Sequence, residues 1–110
     1  MLKRLLVLAA CALAATTGLA QTYPAKQVRM IVGFPPGGGT DVVARVISQK
    51  LTEWWGQPVT VENRAGATGT IGYNACAGAT DGYTICMATT DLMILPHLMK
   101  LPFNLDQDIA

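Results

Sequence analysis

Two short stretches hold most of the residues able to contact a small ligand directly. "GFPPGGGTD", residues 33–41, sets two prolines and three consecutive glycines ahead of a threonine and an aspartate. "ATTD", residues 88–91, again ends in threonine followed by aspartate. The first N–H groups of a helix lack intrahelical partners and lie at the positive end of its dipole. Glycine removes the Cβ that would keep a ligand away from them. Three glycines opening a helix therefore suit an anion held by backbone N–H groups. A tight turn alone needs roughly one or two glycines.

Other chemistries fit less well. A phosphate loop ends in Gly-Lys followed by Ser or Thr, whereas this loop ends Gly39-Thr40-Asp41. Gly37 and Gly39 make the G-x-G of a dinucleotide fingerprint, and Glu62 lies where a ribose-binding acid is expected. The third glycine position is filled by Val42, too bulky for close helix–strand contact. No nucleophile elbow is present, and Ser48, the one serine, falls in the middle of a helical pattern. Thr89 and Thr90 have no evident base beside them, and His97 has no evident partner to orient it. No catalytic group and no cofactor is assigned. With a single histidine and no zinc-type cysteine spacing, no metal set is assigned either.

These turns need a scaffold, and hydrophobic periodicity supplies one. "VRMIVGF" predicts a buried strand over 28–34, "VTVEN" a strand over 59–63 and "YTICMATT" a strand over 83–90. "DVVARVISQKLTEWW" predicts a helix over 41–55 with Val42, Val43, Val46, Ile47, Leu51, Trp54 and Trp55 as its apolar stripe. Thr40 is the expected N-cap, Asp41 complements the dipole, and Gly56 ends the helix. Shorter helices are predicted over 71–79 and 91–100, the second interrupted by Pro96. Strictly alternating strands and helices argue for an α/β fold, a parallel sheet with flanking helices and right-handed crossovers. Ligands of such sheets bind beyond the carboxyl ends of the strands, where both turns fall.

The whole chain has 110 residues, is 51% hydrophobic and 14% charged, and carries a formal net charge of +1. Nothing in it resembles the clustered Lys and Arg of a nucleic-acid surface. The apolar excess is concentrated at the start. Lys3 and Arg4 precede an apolar run to about Ala15, and small residues lead to a cut between Ala20 and Gln21. This is the pattern of a cleavable secretory signal over 1–20 and implies export. A membrane span needs about 20 apolar residues, more than this run offers. "LAAC" ending at Cys11 offers lipidation as the alternative, with an unusually short apolar segment ahead of it.

Residues 21–110 then carry six Lys and Arg against seven Asp and Glu, a net charge of −1. Cys76 and Cys86 remain in this part. An oxidising compartment permits a bridge between them. The preferred reading is two small buried apolar side chains, one on a helix and one on a strand, because a bridge demands particular Cβ vectors.

The pieces "YPAK", "FPPGGGTD", "WGQPV", "VENRAGATGTIG", "DGYT", "ATTD" and "LPF" together resemble the opening of the tripartite tricarboxylate transporter substrate-binding receptors, the Bug family of TctC-like proteins. The resemblance runs from Tyr23 to about Asp108. It implies the first domain of a two-domain periplasmic-binding-protein fold of the Venus-flytrap type, with a ligand cleft between the domains. It also implies a monomeric periplasmic receptor that captures a small carboxylate, or an amidated relative, and delivers it to membrane permease subunits. By that resemblance Phe34, Pro35, Gly37, Gly38, Gly39, Thr40 and Asp41 line the cleft with Thr89, Thr90 and Asp91. They hold the ligand carboxylate through N–H groups, hydroxyls and water. Asp41 and Asp91 would act through their amides, or accept from an ammonium or amide group on the ligand. The competing reading is an α/β enzyme that binds a nucleotide or phosphate at the Gly37–Gly39 loop.

Three departures from the family pattern stand out. Leu95 precedes Pro96 where the family often has Asn, Asp91 replaces a small polar residue, and Cys76 and Cys86 replace aliphatic or small ones. Family members are also much longer. On the resemblance, residues 21–110 are part of one domain, ending at "DQDIA" where a further strand would begin. Three strands with their helices bury little surface, so such a piece is expected to fold poorly alone.

Overall fold

The computed structural model describes Met1 and residues 20–109; the expected signal segment and Cys11 lie outside the described residues. Strand β1 (Val28–Val32) leads into helix α1 (Gly39–Trp55) and strand β2 (Val59–Asn63). A 3-10 turn (Ala67–Gly69), helix α2 (Thr70–Ala77) and strand β3 (Thr84–Met87) follow, then helix α3 (Asp91–Leu98) and the short helix α4 (Leu105–Asp108). The three strands form one parallel sheet in the order β2-β1-β3. Met30 pairs with Val61 on one side and with Ile85 on the other.

β1 is the central strand, and this explains its composition. Val28, Met30, Ile31 and Val32 are all buried. Alternation turns Val28, Met30 and Val32 toward α1, where they pack with Ala44, Leu51, Trp55, Val59 and Ile85. The opposite face is covered from the α2 side, where Tyr73 packs with Leu92 and Leu95 of α3. The chain crosses from β1 to β2 in one direction and from β2 back past β1 to β3 in the other. Right-handed crossovers therefore place α1 and α2 on opposite faces.

The buried face of α1 differs from the stripe expected of it. Asp41, Ala44 and Ser48 are the buried residues, with Leu51 and Trp55 packed beside them. Val42, Val43, Val46, Ile47 and Trp54 are exposed, Trp54 to 76%. Small side chains at Ala44 and Ser48 let the helix approach the sheet closely, and hydrogen bonds satisfy Asp41, so apolar count alone selects the wrong face. Gly56 ends the helix as expected, at φ 65°, its N–H donating to Thr52 O at 3.0 Å.

The cysteines also depart from the preferred reading. Cys76 at the end of α2 and Cys86 in β3 are joined as a disulfide, with a Cα–Cα distance of 6.1 Å. That separation lies within the range a bridge requires, so the helix and strand do supply the vectors. Leu105–Asp108 form a short helix. The Asn104 side chain accepts from Asp106 N at 3.0 Å and Gln107 N at 3.3 Å, an N-cap that starts α4.

Candidate functional site

The turns after β1 and β3 emerge side by side at the carboxyl edge of the sheet, because these strands are neighbours. Their helices leave toward opposite faces, and a crevice at such a switch point is where open α/β sheets bind ligands.

The first turn is fixed by one buried carboxylate. Asp41 Oδ2 accepts from Gly37 N and from Arg45 Nε, both at 2.9 Å. Its Oδ1 accepts from Asn63 Nδ2 at 2.8 Å. The same Asn63 nitrogen donates to Phe34 O at 3.1 Å, and Arg45 Nη2 donates to Asn63 Oδ1 at 3.3 Å. Asp41 is only 2% exposed. The Arg45 guanidinium, then the Gly37 N–H and the Asn63 amide, hold its carboxyl far below the usual carboxylate range. Both oxygens are thus engaged inside the protein, and only its N–H is left for a ligand.

Thr40 is not the N-cap expected from sequence. Gly38 occupies that position, no side chain caps the helix, and Thr40 stands in the first turn. The first helical bond runs from Val42 N to Gly38 O at 3.0 Å, so the N–H groups of Gly39, Thr40 and Asp41 precede the ladder. Of the three glycines in this run, Gly37 alone has a backbone that demands glycine, at φ +88°. A Cβ at Gly39 would meet no atom within 4 Å, and one at Gly38 only Pro35 O at 3.6 Å. Packing within the described residues therefore does not explain these two glycines. Phe34 is half-buried against the core, and Pro35 is exposed.

The second turn hangs from Tyr73, whose role the sequence reading missed. This side chain is 1% exposed. Its hydroxyl accepts from Thr89 N at 3.3 Å, lies 2.9 Å from Thr89 Oγ1 and donates to Asp91 Oδ1 at 3.2 Å. Thr89 Oγ1 also donates to Asp91 Oδ1. Burial is the main cause that pushes the Tyr73 hydroxyl up from its ordinary pKa. Thr90 is the exposed residue before α3, and no side chain caps that helix. The available signal was a lone polar aromatic among the small residues of "IGYNACAGA".

Asn63, Arg45 and the glycines behind the turns were also missed. A Cβ at Gly33 would lie 2.9 Å from Gly69 Cα, and one at Gly72 2.7 Å from Gly33 Cα. These glycines serve contact between backbones, unlike Gly38 and Gly39. Two concavities, of about 500 and 390 Å³, lie near α3–α4 and beside β3; the second reaches Ala88, and no other residue of the two turns lines either one. Among the described residues no cluster of His, Cys, Asp and Glu could hold a metal ion.

Residues 43–110 match the profile of the family described as "Tripartite tricarboxylate transporter family receptor". Protein BugT of Bordetella pertussis is 56% identical over 68 residues, covering 57% of this chain and 21% of BugT. A solved structure described as a periplasmic transporter matches 74% of this chain and 29% of its own at 43% identity, with a TM-score of 0.69. MatC of Rhodopseudomonas palustris, solved with bound malate, matches 58% of this chain and 22% of its own at 40% identity, with a TM-score of 0.55. The chain thus spans between about a fifth and a third of the length of these relatives.

Proposed function

The chain belongs to the tripartite tricarboxylate transporter receptor family, and on that premise we propose that it forms one wall of a periplasmic receptor for a small carboxylate. In this reading a ligand carboxylate lies across the switch point. The N–H groups of Gly39, Thr40 and Asp41 donate to it from one side, and Thr89, Thr90 and the Asp91 N–H meet it from the other. The observation that carries the reading is the bare amide edge of α1, where nothing but open space lies over Gly39. A helix N-terminus of this kind favours negative charge in general. The family and the malate bound to MatC narrow that charge to a carboxylate.

The rest of the protein's work follows as part of the same proposal. A second domain closes over the ligand, membrane permease subunits receive it, and a signal cut between Ala20 and Gln21 releases a monomer into the periplasm. Calorimetric titration of the protein at its full natural length with malate, succinate, adipate and citrate tests the reading. At least one acid is expected to bind, and Gly39→Val is expected to weaken it at unchanged melting temperature. No binding by any of these acids or by a small monocarboxylate would overturn it.

A further inference from the structure

The second turn says what else the ligand carries, an inference that rests on the receptor reading above. Thr89, Asp91 and Tyr73 have few protons to share, and each can be followed. The Thr89 N–H goes to the Tyr73 oxygen at 3.3 Å. The Tyr73 and Thr89 hydroxyls both reach Asp91 Oδ1, and should Tyr73 donate to Thr89 instead, the Thr89 proton still goes to Oδ1. Each of these protons is thus spent on the Tyr73 oxygen, on the Thr89 oxygen or on Oδ1, and none reaches Oδ2. Asp91 Oδ2 is buried and has no partner.

A buried carboxylate oxygen without a donor is costly, and proteins rarely leave one so unless something else supplies the proton. The other buried side-chain oxygen without a partner among the described residues is Thr70 Oγ1. Thr70 opens α2 and Asp91 opens α3, so both orphans lie at the sheet edge that carries the two turns. Asp41, the aspartate at the first turn, differs in this respect, since both its oxygens are satisfied within the chain. The two Thr-Asp pairs look alike in sequence and are chemically opposite in the fold.

We propose that Asp91 Oδ2 receives an ammonium group of the ligand, which makes this receptor selective for amino-carboxylates. The ligand carboxylate rests on the amides of α1, and the ammonium turns toward Asp91. A cation is favoured over a neutral donor there because it also compensates the charge of a desolvated carboxylate.

The test uses sets of acids that differ at one substituent. L-aspartate, L-malate and succinate carry an ammonium, a hydroxyl and a hydrogen at the same carbon. L-glutamate, 2-hydroxyglutarate and glutarate repeat the series one carbon longer, and L-alanine, lactate and propionate repeat it without the second carboxylate. In titrations of the full-length protein, the amino acid of the best-fitting set is expected to bind roughly 10- to 100-fold tighter than its unsubstituted partner, with the hydroxy acid between them. Asp91→Asn keeps an acceptor at Oδ1 and puts an NH2 where Oδ2 was. It is expected to lose that preference, so that the amino acid and the unsubstituted acid of the set bind alike. An unsubstituted acid that binds as tightly as the amino acid in the wild type overturns the proposal while leaving the receptor reading intact, as does an unaltered preference in Asp91→Asn. The wild-type ranking decides the matter even where the variant fails to fold. Failure of all nine acids to bind would overturn this inference, and failure of adipate and citrate as well would overturn the receptor reading with it.

Discussion

A Cβ on Gly72 would lie 2.7 Å from the Cα of Gly33, so the first turn of α2 rests on the backbone leaving β1. The next contacts, Gly33 N at 3.1 Å and Arg64 O at 3.2 Å, are also main chain and have no rotamer with which to yield. Gly72→Ala is therefore expected to destabilise the protein by about 1–3 kcal/mol through overpacking. Gly39→Ala, facing open space, should change stability by no more than about 0.5 kcal/mol. Denaturant unfolding of the two variants compares them. Equal midpoints would contradict the close backbone contact.

Acid sensitivity should trace to Asp41. Its folded carboxyl titrates far below the unfolded value of about 3.9, chiefly because of Arg45. A depressed carboxyl contributes stability that is fully present above the unfolded pKa and is lost as pH falls through the folded one. The melting-temperature advantage of wild type over Asp41→Asn should thus be constant above about pH 5 and shrink below about pH 4. An advantage that stays level down to pH 2 would show that the carboxylate is not held this way.

Tyr73→Phe removes one oxygen and keeps the packing against Leu92 and Leu95. It leaves the Thr89 N–H without its acceptor and Asp91 with one donor fewer, at an expected cost of about 1–3 kcal/mol. Amide exchange should quicken at Thr89 and remain unchanged at Val42, across the sheet edge. Uniform acceleration at both positions would mean that the hydroxyl stabilises the fold in general and not this turn.

Reduction of the Cys76–Cys86 bridge should loosen the same region. The two cysteines are 10 residues apart, and a loop of that size corresponds to about 2–3 kcal/mol of chain entropy. Cys86 lies three residues before Thr89, and Cys76 three after Tyr73, so the bridge and the hydroxyl network tie together the same two elements. Melting with and without a thiol reductant measures the effect. An unchanged midpoint would indicate that the bridge does not restrain the folded chain.

The scaffold was legible where burial follows a simple period. "VTVEN" alternates and forms β2 over the expected residues, and the central run of β1 is buried as its composition demands. Legibility failed where a polar group is buried by a partner far along the chain. Asp41 occupies the inner face of α1 because Asn63, 22 residues later, satisfies it, and this turns the valines outward. Tyr73 organises the second turn through Thr89, 16 residues on. A window of one helix contains neither partner. The glycine run ahead of α1 was visible because bare glycine at a helix start is a local signal, whereas nothing local showed that Asp41 has both oxygens satisfied and Asp91 only one.

The most direct measurement is the affinity of the full-length protein for its best-bound small acid, compared between wild type and the double variant Gly38→Val, Gly39→Val. Neither position has a backbone that excludes valine, and the one Cβ contact, from position 38 to Pro35 O at 3.6 Å, is an ordinary van der Waals distance, so the melting temperatures should agree. The account predicts that affinity falls by at least roughly 100-fold, since two branched side chains cover the amides that hold the acid. Unchanged affinity in a folded double variant would contradict it.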